Sequence, residues 1–136
     1  MAEENQTLSH RWHEIFEGNL GDAEEIVADE CVYHDAPPGI LSGPEGGKEW
    51  AIGFRNGFPD LHITEEQFIA EGDRVVARFV AQGTHQGEFM GIAATGNQIT
   101  ISGINIIRIS GGKIAEHWVN YDTMALMQQI GAIPSG

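Results

Sequence analysis

Gln98-Ile99-Thr100-Ile101-Ser102-Gly103-Ile104-Asn105-Ile106-Ile107-Arg108-Ile109-Ser110-Gly111-Gly112-Lys113-Ile114-Ala115-Glu116-His117-Trp118-Val119-Asn120-Tyr121-Asp122 reads as two long strands joined by a Gly-Gly turn. Side chains alternate between the faces of a strand. The first strand therefore has one face of Thr100, Ser102, Ile104, Ile106 and Arg108, and another of Ile99, Ile101, Gly103, Asn105, Ile107 and Ile109. One face is expected to be covered by helices or to enclose a cavity, and the other to meet another subunit. Asn105 interrupts the more apolar face; a buried amide left without a partner costs roughly 1–3 kcal/mol. It is either a pocket donor or satisfied within the core. On the second strand Glu116, Trp118 and Asn120 share a face with Asp122 in phase, and His117, Val119 and Tyr121 lie opposite. If the cavity faces the first set, Glu116 and Asp122 enter it and His117 does not. That parity favours Glu116 over His117 as the partner of Asp122.

Outward from this hairpin the same architecture continues. Leu61 to Ala70 alternates loosely, Glu71-Gly72-Asp73 is a turn signal, and Arg74 to Thr84 is a further strand. Gly83-Thr84-His85-Gln86-Gly87 bends the chain into a loop that runs to Asn97. The first half is helical instead. Leu8, Trp12, Ile15 and Phe16 fall at helical spacing from Thr7 to Glu17, and Gly18 ends that segment. Short helices are predicted over Ala23 to Ala28 and Glu45 to Asn56, with a strand at Cys31 to His34 and a breaker at Ala36-Pro37-Pro38-Gly39. Thr123 to Ile130 reads as a last short helix. Helices first and an antiparallel meander afterwards predict one α+β domain spanning residues 1–136, a cone-shaped curved sheet with the N-terminal helices packed on it. Pockets form where helices cover such a sheet.

Twenty acidic residues against seven scattered bases give a net charge of −13. That charge makes nucleic acid and anionic membrane surfaces poor partners. No apolar run approaches the ~18 residues of a membrane span. Met1 to Gln6 is acidic where a signal peptide is basic, so a cytoplasmic location is expected. The single cysteine, Cys31, excludes an intrachain disulfide and reads as a small core residue.

Asp122 stands where the sheet turns into the last helix. It is either a base whose pKa is raised by its surroundings or the N-cap of that helix. His34 ends the first strand and His85 sits between glycines; each either lines the pocket or serves the loop. His10 and His13, with Glu14 beside them, read as an exposed helix face, and no histidine pair has zinc-ligand spacing, so no metal site is expected. Trp12, Tyr33, Trp50, Phe54 and Trp118 form either an aromatic pocket wall or core. Arg78 and Arg108 interrupt apolar strands, and Arg78 is a candidate ligand contact. Nucleophile elbows, Walker loops and dinucleotide fingerprints are absent.

Taken together, Phe58-Pro59-Asp60-Leu61, Glu71-Gly72-Asp73-Arg74-Val75, Gly83-Thr84-His85-Gln86-Gly87-Glu88-Phe89, Thr95-Gly96, Gly112-Lys113-Ile114-Ala115-Glu116-His117-Trp118, Asp122 and Gln129-Ile130-Gly131-Ala132 resemble the SnoaL-like polyketide cyclase family, within the fold group of nuclear transport factor 2 and ketosteroid isomerase. Ile92-Ala93-Ala94 stands where many relatives have a Pro before Thr-Gly. The resemblance implies an α+β barrel, dimeric or higher, holding a small apolar or aromatic ligand. It also implies ring closure by intramolecular aldol condensation with no metal or organic cofactor. Asp122 matches the family's base, with His34, His117 and Glu116 as further catalytic candidates. Asn105, His85, Tyr33, Trp50, Phe54, Trp118 and Arg78 are then the substrate-binding candidates. A non-catalytic ligand-binding or dimerising module, or isomerase or hydrolase chemistry in the same pocket, are the alternatives.

Overall fold

The hairpin forms as its alternation dictates. In the computed structural model, which describes residues 2–134, β4 (Gln98–Ser110) and β5 (Lys113–Tyr121) pair antiparallel, with Asn105 opposite Val119 and Ile107 opposite His117. Gly111 and Gly112 both take positive φ, 60° and 78°, which only glycine adopts without strain, so the chain reverses in two residues. Every second residue of β4 from Ile99 to Ile109 is buried, and the residues between them face outward.

β2 (His62–Glu71) and β3 (Arg74–Thr84) extend the meander, and β1 (Val27–Tyr33) adds the other edge, giving the order β1-β5-β4-β3-β2. The predicted antiparallel cone needs two corrections. β1 runs parallel to β5, with Val32 opposite Glu116, so the sheet is mixed. The sheet also does not close: β1 and β2 are separate edges. The physical reason is the helical half. After β1, α3 (Gly43–Gly57) carries the chain to the opposite edge, where β2 begins, and helices fill the concave side that closure would occupy. Register shifts in β1, β2 and β5 pairings curve the strands.

α1 (Ala2–Phe16) starts earlier than the apolar spacing predicts, and α2 (Ala23–Ile26) stops earlier, because Val27, fully buried, already pairs with Ile114. α4 (Thr123–Gln129) closes the described fold. α1 and α3 pack on the concave face, and their Trp12, Ile15, Phe16, Trp50 and Ala51 meet Val75, Ile99, Ile101 and Ile107 of the sheet in one core. Cys31 belongs to that core, where burial pushes its thiol up to about 12 and leaves it unreactive. Among the described residues no helix is long and apolar enough to cross a membrane.

Candidate functional site

Between α1, α3 and the inner sheet face the core is incompletely filled. Trp12, His13 and Phe16 of α1 and Trp50 and Phe54 of α3 roof a narrow cavity with about 60 Å³ of free space. Phe79 and Ala81 of β3, Ile99, Ile101 and Asn105 of β4, and His117, Val119 and Tyr121 of β5 form its floor. Gly103 helps keep it open: a Cβ there would lie 2.5 Å from Phe79 Cζ and push that ring aside. At ~10–15 Å³ per water the space holds a few waters. A larger ligand must part the aromatic roof, of which Phe54 is half-buried, as is Tyr121 on the floor, with ring centroids 6.0 Å apart.

The walls are apolar, so the polar atoms among them stand out. Trp50 Nε1, Asn105 Nδ2 and His117 Nδ1 are buried and have no hydrogen-bond partner among the described residues. Buried polar groups are nearly always paired, so three orphans around one cavity mark where a ligand or water completes the set. His117 is boxed by Trp12 at 4.7 Å and Trp50 at 5.4 Å between centroids. Burial, reinforced by the neighbouring His13 and His34, depresses its pKa to about 3, so it remains neutral at ordinary pH. Burial likewise raises the Tyr121 phenol, keeping it protonated.

His13 is the third titratable group of the lining. Its Nε2 lies 3.0 Å from Asn105 Oδ1, and its Nδ1 lies 3.0 Å from Glu65 Oε1. Glu65 also meets His10 Nδ1, at 2.9 and 3.0 Å from its two oxygens. Burial pushes the Glu65 carboxyl up, but hydrogen bonds from His13 and His10 and their charges outweigh it and hold it below the usual range. Glu65 raises the His10 imidazole in turn, chiefly through their hydrogen bond.

Several sequence candidates lie elsewhere. The cavity faces His117, Val119 and Tyr121, so the parity grouping holds but the inward face is the opposite of the one favoured for Glu116 and Asp122. Glu116 points outward and is held by Arg108, Nε to Oε1 2.5 Å, and by His34, Nε2 to Oε2 2.8 Å; both pairings keep its carboxyl low. His34 is exposed and stacks on Trp118 at 4.8 Å, with Arg74 over the same indole. Arg78 is exposed and paired with Glu66. Asp122 is exposed, and its Oδ1 accepts the amide of Ala125, capping α4. His85 is buried but turned into its own loop, where Nδ1 meets Thr95.

Asn105, Trp12, Trp50, Phe54 and His117 do line the cavity. Tyr33 packs behind them, stacked on Trp12 and donating its hydroxyl to the Gly43 carbonyl at 2.6 Å. Two functional candidates were not among those predicted: His13, expected on an exposed helix face but 3% accessible, and its partner Glu65. Ser9, Trp12, His13 and Phe16 follow the i, i+3, i+4, i+7 spacing of one helix face, a signal that would have placed His13 inside.

The chain matches the SnoaL-like polyketide cyclase description over residues 6–130. It is 29% identical over 123 residues to the aklanonic acid methyl ester cyclase DauD of Streptomyces sp. (strain C5), covering 83% of this chain and 74% of that one. It is 31% identical over 94 residues to the aklanonic acid methyl ester cyclase DnrD of Streptomyces peucetius, covering 67% and 63%. The structure of TsrD from Streptomyces laurentii superposes with a TM-score of 0.88 at 28% identity, over 98% of each chain. With its helices packed on a five-stranded curved sheet and this match running nearly end to end, the chain belongs to the SnoaL-like polyketide cyclase family.

Proposed function

We propose that this protein closes a ring on an apolar, polyketide-like ligand by cofactor-independent, intramolecular aldol-type chemistry in the cavity. The observation that carries the reading is the set of unpartnered buried donors, Trp50 Nε1 and Asn105 Nδ2, in apolar surroundings. An aldol closure turns a C–H bond into an enolate, which attacks a carbonyl of the same molecule. Donors fixed in a dry site stabilise the developing oxyanion without reorganising. The aromatic walls fold the ligand so that its two ends meet. The likeness to two cyclases of aklanonic acid methyl ester supports an aromatic, ester-bearing ligand.

A second reading is a ligand-binding module without chemistry. It is favoured by Asp122, which the family resemblance expects as base but which serves here as an exposed helix cap. Both readings accommodate a homodimer through the outer sheet face, where Ile104 and Ile69 are 47% and 58% exposed. Purified protein incubated with aklanonic acid methyl ester, with products separated by chromatography and identified by NMR, distinguishes the two readings. Ring closure by the wild type, lowered ~100-fold in Asn105→Leu with folding intact, is the expected result. Saturable binding with no acceleration of closure supports the binding module instead.

A further inference from the structure

Ring closure requires a proton acceptor, and no carboxylate stands among the described cavity-lining residues. The titratable groups there are His13, His117 and Tyr121. His117 is made a poor base by its burial, and Tyr121 holds its proton. His13 is set apart by its geometry. Glu65 accepts from Nδ1–H, which fixes the neutral tautomer with a bare Nε2; that nitrogen lies 3.0 Å from Asn105 Oδ1, a contact that becomes a hydrogen bond once Nε2 takes up a proton.

The backbone builds this pair deliberately. His13 lies on the inward face of α1. Ile63 and Glu65 point toward the helix from β2, and the register shift between Glu65 and Gln67 resets the strand afterwards so that Phe68 and Ala70 also turn inward. The pair also reaches solvent. Glu65, with 10% of its side chain exposed, bonds His10, whose side chain is 52% exposed and has Glu14 Oε2 at 3.6 Å. Glu17 adds further negative potential to His10. A line of hydrogen-bonded groups therefore runs from solvent through His10 and Glu65 to His13, whose Nε2 lies beside Asn105 Oδ1 at the cavity wall.

We propose that His13, oriented by Glu65, takes the acidic C–H proton of the ligand onto Nε2 and returns it to the oxygen formed by ring closure, with His10 linking the pair to solvent. The proposal rests on the ring-closing reading above. In the step, the C–H electron pair becomes the enolate, the enolate carbon bonds to the ligand's carbonyl carbon, and the carbonyl π pair becomes an alkoxide. The alkoxide takes the proton back from Nε2, so the product is an isomer of the substrate and no co-reactant is consumed. Asn105 serves both charges: Oδ1 accepts Nε2–H of the charged ring, and Nδ2 is free to donate to the enolate oxygen. Glu65 is a positioning residue that stays ionised beside the imidazolium.

The test uses the whole protein and two probes: aklanonic acid methyl ester for closure, and 2-tetralone in D2O for α-proton exchange. His13→Gln is expected to lower kcat for both at least ~100-fold. Glu65→Gln is expected to lower kcat ~10-fold or more with KM little changed, and Asp122→Asn to retain turnover. A readout independent of turnover is NMR of 15N-histidine-labelled protein. A downfield His13 Nδ1–H signal is expected in the wild type and in Asp122→Asn, and its loss in Glu65→Gln. Loss of turnover in Asp122→Asn with retention in His13→Gln overturns the proposal. So does a His13 Nδ1 found without a proton in the wild type, even if the His13 variant fails to fold. A wild type that shows the NMR signature but acts on neither probe sinks the ring-closing reading, and leaves the pair as an anchor between α1 and β2.

Discussion

At the scale of the residue, His117 shows how burial sets charge. Its imidazole is 2% exposed against Trp12 and Trp50, and its pKa falls from the ordinary 6.5 to about 3. The folded protein therefore refuses a proton that the unfolded chain accepts below pH 6.5. Stability attributable to this site falls as pH drops from 6.5 toward 3, by ~1.4 kcal/mol per pH unit at most. His117→Phe, which keeps a flat ring in the same box, is expected to lose less stability than the wild type over that interval. Urea unfolding at a series of pH values measures the difference; parallel curves would contradict it. Asn105 illustrates the complementary case. Its Oδ1 faces His13 Nε2 at 3.0 Å and its Nδ2 has no partner among the described residues, which is rare for a purely structural asparagine in a packed core.

At the scale of the element, α4 depends on its first residue. It has only seven residues, too short to be stable alone, and Asp122 supplies the hydrogen bond that its N-terminus lacks. Asp122→Ala is expected to lower global stability by about 0.5–2 kcal/mol, seen as a reduced midpoint in denaturant, whereas Asp122→Asn keeps most of it. The strands were readable because alternation is local: the inner row from Ile99 to Ile109 and the Gly-Gly turn need no partner to be recognised. The grouping on β5 was readable for the same reason. Which group turns inward was not, because that depends on where α1 and α3 come to rest. β1 joining parallel to β5 was hidden in the same way, since its pairing partner lies some eighty residues away. Glu65 was masked by charge: an acidic residue on a strand reads as a solvent-facing one until a histidine from another element is brought against it. His13 was legible in principle from its helix face, but a polar residue beside Glu14 and His10 suggested a wet surface.

At the scale of the whole molecule, the sheet has two unlike faces. The inner face is sealed by helices, while the outer one carries Ile69, Ile104 and the Trp118–His34 stack among its charges. A dimer through that outer face has to overcome the repulsion of two chains carrying −13 each. Such a dimer is therefore expected to tighten as salt rises and screening shortens. Ile104→Glu is expected to shift the mass measured by light scattering from dimer to monomer without changing far-UV circular dichroism. A wild type that stays monomeric at high salt would remove the outer face from consideration.

The aromatic roof over the narrow cavity has a consequence for timing. With about 60 Å³ free, the resting protein offers a multi-ring molecule no vacant seat. Entry waits on Phe54 and its neighbours swinging apart, so raising the ligand concentration speeds capture only until that opening becomes the slow event. On the proposed function the same rings have to separate again to let the product go, and the rate of that opening, rather than diffusion, then sets the ceiling on turnover.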